Sequence, residues 1–365
     1  MHPTQAEPSF QLATSELSLE ITARGGHLAP VIFHLAGRDV SPYALAPWAP
    51  EEFPEIPRLL SVLRGDFFCL PFGGQKNGPP HGDTANAQWS LAATDERSIH
   101  LTLDASDTGA HVRKKISTRE GHHAIYSEHL ISNLSGDFNY GNHPILDLSH
   151  LPENAGRITT SPFRWASVFP GEFANHADGE TQALAGGSTF TDLSEVRLAS
   201  GETTDLTRYP TRVGNDDLVM MVNESSNDDQ PFAWSAVVLN GYLWFSLKNP
   251  TDFPSTLLWI SNGGRTAAPW LSRHIGRIGV EVVCSHFCHD LEVSRAQRLA
   301  AHGIATTRHF SPDETVSLRI VQAVALTPAN FGAVRHIKPA GPSAVSIKGE
   351  FGHEIITAID WTFIA

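Results

Sequence analysis

Residues 15–23 read Ser15-Glu16-Leu17-Ser18-Leu19-Glu20-Ile21-Thr22-Ala23. Leu17, Leu19 and Ile21 alternate with polar neighbours. That period of two marks a half-buried strand, because successive strand side chains point to opposite faces. Gly25-Gly26 breaks the pattern, and an apolar run resumes over 28–35. Strand-like segments recur at 98–103, 124–132, 232–239, 242–248, 255–261, 277–286, 314–326 and 344–348. Turn chemistry separates many of them, as at Asn240-Gly241, Asn249-Pro250 and Asn262-Gly263-Gly264. Helical signal is confined to the Ala- and Arg-rich 293–302, with Gly303 as its cap. Residues 223–230 read as a mobile surface loop, and the stretch around Trp48-Ala49-Pro50 as an irregular excursion. There is no internal repeat and no low-complexity linker. Many strands and almost no helix predict an all-β protein, a large antiparallel β-sandwich. We expect one domain over 1–365, with 1–12 as a flexible tail.

Composition narrows the function. A hydrophobic share of 41% with 18% charged residues fits an ordinary globular chain, long enough for a sizeable core. The formal net charge of -13 argues against nucleic acid, which needs clustered Lys and Arg, and against an anionic membrane surface. It does not exclude a sugar. Cys69, Cys284 and Cys288 make no disulfide framework. The first ten residues carry no basic, apolar leader, and no run approaches the ~20 apolar residues of a membrane span. These features predict a cytoplasmic protein.

Three separated segments carry acid–base side chains in apolar or Gly/Pro-bounded settings. They are Pro80-His81-Gly82, Asn142-His143-Pro144, and Ile278-Gly279-Val280-Glu281-Val282-Val283. With 19 histidines in the chain, any one of them is as readily a packing residue. A carboxylate among Ile278, Val280, Val282 and Val283 is expected to be partly buried, which raises its pKa. Trp89, Trp259 and Trp270 are candidate stacking platforms, although Trp259, within Leu257-Leu258-Trp259-Ile260, reads first as core. Arg265 and Arg273 flank a Gly-rich loop and can take a carboxylate or phosphate. A metal reading stays open, because His81, His143, Glu281 and His286 are ligand types. Alternation would place Cys284, His286 and Cys288 on one strand face. No nucleotide-binding, Gly-x-Ser-x-Gly or His-Glu-x-x-His motif is present.

The order of these segments resembles the aldose 1-epimerase (galactose mutarotase-like) family. The likeness runs over nearly the whole chain: Gly25-Gly26 and Gly37-Arg38 around the opening strands, then Leu70-Pro71-Phe72-Gly73-Gly74, His81-Gly82 and Trp89. It continues through Asn133-Leu134-Ser135, Asn142-His143-Pro144, Leu258-Trp259-Ile260, Gly263-Gly264-Arg265 and Glu281, and closes with His309-Phe310-Ser311-Pro312-Asp313-Glu314. The resemblance implies the galactose mutarotase-like sandwich and interconversion of sugar anomers by proton transfer. It makes Glu281 the base and His143 the acid. His81, Gln75, Trp89, Asp217, Trp259 and Arg265 become sugar-binding residues. It implies no cofactor, no metal and a small-molecule sugar partner, and it is compatible with a homodimer. The chain departs from the pattern in three places. No Arg follows Pro71-Phe72-Gly73-Gly74, where Gln75-Lys76 stands instead. Val282-Val283-Cys284 continues the strand beyond the glutamate. The family's Asp-His pair has only Asn215-Asp216-Asp217 as its nearest counterpart. Two other readings are a non-catalytic sugar-binding protein of the same fold and a metal-dependent sugar isomerase or lyase.

Overall fold

The computed structural model describes residues 7–365. Two antiparallel sheets face one another. A seven-stranded sheet runs in the order Phe163–Val168, Asn215–Asn223, Ser255–Asn262, Arg277–Cys284, Tyr140–Asn142, Phe68–Cys69, and Ile145–Asp147 also pairs with Arg277–Cys284. A nine-stranded sheet has Tyr242–Lys248, Val316–Leu326 and Ala124–Ser132 at its centre. Val280, Val282, Leu258 and Val219 from the first sheet meet Ile320, Val324, Trp244 and Ile125 from the second in one buried core. The strands at 17–22 and 28–35 belong to a separate four-stranded sheet that adds to this core.

The central strands of the seven-stranded sheet are buried on both faces, which is why they read as continuous apolar runs. Their second face supports another cluster, in which Leu218, Leu257, Trp259 and Val283 meet Trp48, Leu59, Leu63 and Phe67. The irregular excursion is therefore a cover over the sheet. The outer face of the nine-stranded sheet is covered too, by the three strands Val334–Pro339, Ala344–Gly349 and Glu354–Ala358.

Three expectations need correction. Residues 9–12 are no tail, because Ser9–Ala13 pairs in register with Leu17–Thr22; residues 1–6 lie outside the described part. The single helix over 293–302 is two pieces, Leu291–Arg295 and the 3-10 turn Ala300–His302, broken where Gln297 takes a left-handed conformation (φ 49°). Gly303 does cap the second piece, with φ 65°. The strand expected to reach 286 ends at Cys284, where the chain turns through Phe287 (φ 51°). Alternation therefore lapses: Cys284 enters the inter-sheet core while Cys288 borders a cavity on the other face. Among the described residues no helix is long and apolar enough to cross a membrane.

Candidate active site

A cavity of about 360 Å³ opens on the outer face of the seven-stranded sheet, walled on one side by Leu59, Leu60, Leu63 and Phe67. That volume lies within the range of small-molecule sites. His81, His143, Glu281, Trp259 and Arg265 all line it.

The sheet register brings the first pair together. Asn142 pairs with Val282 and Ile145 with Gly279, so His143 stands directly across from Glu281. Pro144 lacks an N–H but accepts from Val280 N at 2.9 Å, and the ladder stays in register through it. Directly opposed residues on one face are contact neighbours. Here His143 Nε2 lies 3.3 Å from Glu281 Oε1. Trp259, opposite Gly279, joins them diagonally, its ring edge-on to His143 at 5.6 Å. Gly279 makes this possible, because a Cβ there would lie 2.7 Å from Glu281 Oε1 and 3.1 Å from Trp259 Cβ. The His143 ring stacks on Phe67 at 4.8 Å, and its backbone N–H donates to Phe67 O at 3.0 Å.

His81 is held in the left-handed region (φ 64°), sparsely populated by non-glycine residues. Two bonds to Gly73 fix it. The His81 N–H donates to Gly73 O at 2.8 Å, and His81 Nδ1 accepts from Gly73 N at 3.2 Å. With Nδ1 accepting, the neutral ring carries its proton on Nε2 and remains a donor. The His81 and His143 rings meet edge to face at 5.3 Å.

Arg265 enters from the Gly263-Gly264 loop. Gly264 N donates to Asp216 Oδ2 at 2.8 Å, and a Cβ at Gly264 would collide with the Asp216 backbone nitrogen at 2.3 Å. The Arg265 guanidinium lies over the rings of Trp270, Phe173 and Trp259 at 4.9, 5.1 and 5.5 Å.

Burial sets the protonation of the site. Desolvation pushes the Glu281 carboxyl well above its ordinary range, opposed only by the Arg265 charge. Desolvation holds His143 well below the usual imidazole value, aided by His81, and lowers His81 to about 4. Both directions favour a carboxylic acid beside a neutral imidazole over the carboxylate–imidazolium pair expected from the sequence.

Three expected sugar contacts lie elsewhere. Gln75 donates to Phe72 O and Gly73 O at 3.0 and 3.1 Å, and its side chain borders a separate surface hollow. Trp89 is core: its Nε1 donates to Thr84 O at 3.0 Å and Lys114 sits over its ring. Asp217 Oδ1 accepts from Ala183 N and Leu184 N at 3.0 and 2.8 Å, tying down a loop. Arg273 also turns away, pairing with Glu52 at 2.9 Å. Trp259 is both core and wall. Phe67 and Phe173 were not singled out in the sequence, and Cys288 was read there only with Cys284 and His286. Phe67 is an apolar residue beside another, and nothing local distinguishes it from core. Among the described residues no three His, Cys, Asp or Glu side chains gather as a metal site.

The sequence matches no protein-family model and no curated protein. The structure, however, resembles several solved ones. A galactose mutarotase related enzyme from Lactobacillus acidophilus superposes with a TM-score of 0.56 at 12% identity, covering 88% of this chain and 99% of the other. A candidate aldose 1-epimerase from Escherichia coli gives 0.58 at 12% identity, with 88% and 99% covered. A galactose mutarotase-like protein from Clostridium acetobutylicum gives 0.53 at 11% identity, with 89% and 97% covered. The fold is the galactose mutarotase-like sandwich.

Proposed function

We propose that this chain binds a sugar in the cavity on the outer face of the seven-stranded sheet and interconverts its anomers by proton transfer through His143 and Glu281. The observation that carries this reading is their side-by-side placement, 3.3 Å apart, in an apolar-walled cavity. Mutarotation opens the ring by removing a proton from the anomeric hydroxyl and delivering one to the ring oxygen. The two oxygens sit on one carbon, so two adjacent groups can serve both from one side. No net charge is needed. The pair starts with one mobile proton on Glu281, gives it to the ring oxygen, and takes the hydroxyl proton on His143 Nε2. Ring closure on the other face of the carbonyl reverses both transfers. In this order Glu281 is the acid and His143 the base, the reverse of the roles the resemblance implies. His81 Nε2–H can hydrogen-bond a sugar oxygen, and Trp259 can stack on a C–H face. A positioned acid–base pair of this kind contributes roughly 10²–10⁴-fold.

The test is anomer exchange followed by NMR across a panel of aldoses, with the uncatalysed rate subtracted. Exchange accelerated by catalytic amounts of protein is expected for at least one sugar.

A second reading, sugar binding without turnover, draws on Gln75 and Asp217, whose polar atoms are committed to the backbone and leave few groups to orient hydroxyls. Binding without any acceleration would select it.

A further inference from the structure

Among the described residues, Arg265 is the one permanent cation lining the cavity. Its guanidinium is half-buried and, among the described residues, makes no ion pair and no side-chain hydrogen bond. Asp216 acts on it only through space, one carboxylate oxygen being taken by Gly264 N. The three ring contacts take no conventional hydrogen bond from the guanidinium, so its N–H groups keep their donor capacity. Much of the remaining wall is apolar, including Leu59, Leu63, Phe169 and Leu218.

We infer that the sugar taken by this cavity carries one carboxylate, received by the Arg265 guanidinium. This rests on the sugar reading above. One planar guanidinium matches one carboxylate through paired N–H donors. A phosphate dianion would leave a charge uncompensated against apolar walls, which such a site disfavours. Arg273, the other arginine near the loop, is spent on Glu52 and adds no second cation.

The experiment is calorimetric titration of three ligands with the same ring: glucose, glucuronate and glucose 6-phosphate, with the galactose series in parallel. It is run on wild type, Arg265→Met and Glu281→Gln. For at least one series the uronate should bind about 10-fold or more tighter than the parent hexose, the scale of a charge-assisted contact. It should also bind tighter than the phosphate. The preference should disappear in Arg265→Met and persist in Glu281→Gln. A preference for hexose or phosphate in both series, or a uronate preference unchanged by Arg265→Met, would overturn the carboxylate assignment and leave the sugar reading standing. Absence of binding by every sugar would overturn both.

Discussion

Glu281 and His143 line the same largely apolar wall, and burial favours the protonated carboxyl, so its proton has a stability consequence as well as a catalytic one. Below the ordinary carboxyl value of 4.5 both folded and unfolded chains are protonated there. Above it the unfolded chain ionises while the fold retains the proton. The fold therefore loses ~1.4 kcal/mol per pH unit from this group until Glu281 itself ionises. Glu281→Gln keeps the shape and removes the titration. Its melting temperature relative to wild type should rise between pH 5 and pH 8; a constant difference would mean the carboxyl is ionised in the fold. The same protonation fixes the limbs of the rate profile. Activity should fall at low pH as His143 gains a proton and at high pH as Glu281 loses one, with a plateau between. Residual activity of Glu281→Gln should keep the acid limb and lose the alkaline one. His81, His143 and Glu281 were legible as residues because each sits in an apolar or Gly/Pro-bounded setting. Gln75, Trp89 and Asp217 were misplaced because residue type does not tell which backbone groups nearby lack partners. Those three side chains satisfy such groups.

The strand Arg277–Cys284 presents Glu281 on one face and Val280 and Val282 to the inter-sheet core on the other. Its function depends on Gly279 as much as on the glutamate, since Gly279 leaves room for Oε1. Gly279→Ala should force the carboxyl or Trp259 aside. We expect a loss of roughly 1–3 kcal/mol, the usual scale of overpacking, together with slower anomer exchange. Unchanged stability and rate would show that the pair has slack. Most central strands were legible from period and turn chemistry; Tyr242–Lys248 and Ala124–Ser132 have the expected bounds. Asn215–Asn223 was not, because its polar start and two-sided burial hide the alternation. Cross-strand register was not legible either. That His143 opposes Glu281 follows from which strands pair, a long-range choice that no local pattern encodes.

At the scale of the molecule, each sheet has a covered outer face, and the two covers differ in purpose. On the seven-stranded sheet the excursion packs Trp48 into the outer cluster and residues 59–67 wall the cavity, whereas the C-terminal strands seal Phe245, Leu247, Val321 and Ala323 beneath Ile337, Val345 and Ile347. Deleting residues 330–365 would expose that apolar face, and such patches drive association. The truncated protein should aggregate, as light scattering would register; a soluble monomer with the wild-type melting temperature would refute this role. The buried histidines make the fold acid-sensitive as a whole. His27 is lowered to about 3 and His81 to about 4, and His129, His143 and His274 are held well below 6.5, all chiefly by burial. As pH falls below 6.5, the unfolded chain takes up protons that the fold refuses, so stability drops toward pH 4. His129→Leu, which removes a ring with no hydrogen-bond partner, should flatten that drop. The central claim is that His143 and Glu281 move protons on a bound sugar, and one measurement reaches it directly. It is the NMR anomer-exchange rate at neutral pH for wild type, Glu281→Gln and His143→Gln on the sugar that wild type turns over fastest. The account predicts a fall of roughly 10²-fold or more for each variant, with sugar binding retained; wild-type rates in either variant would contradict it.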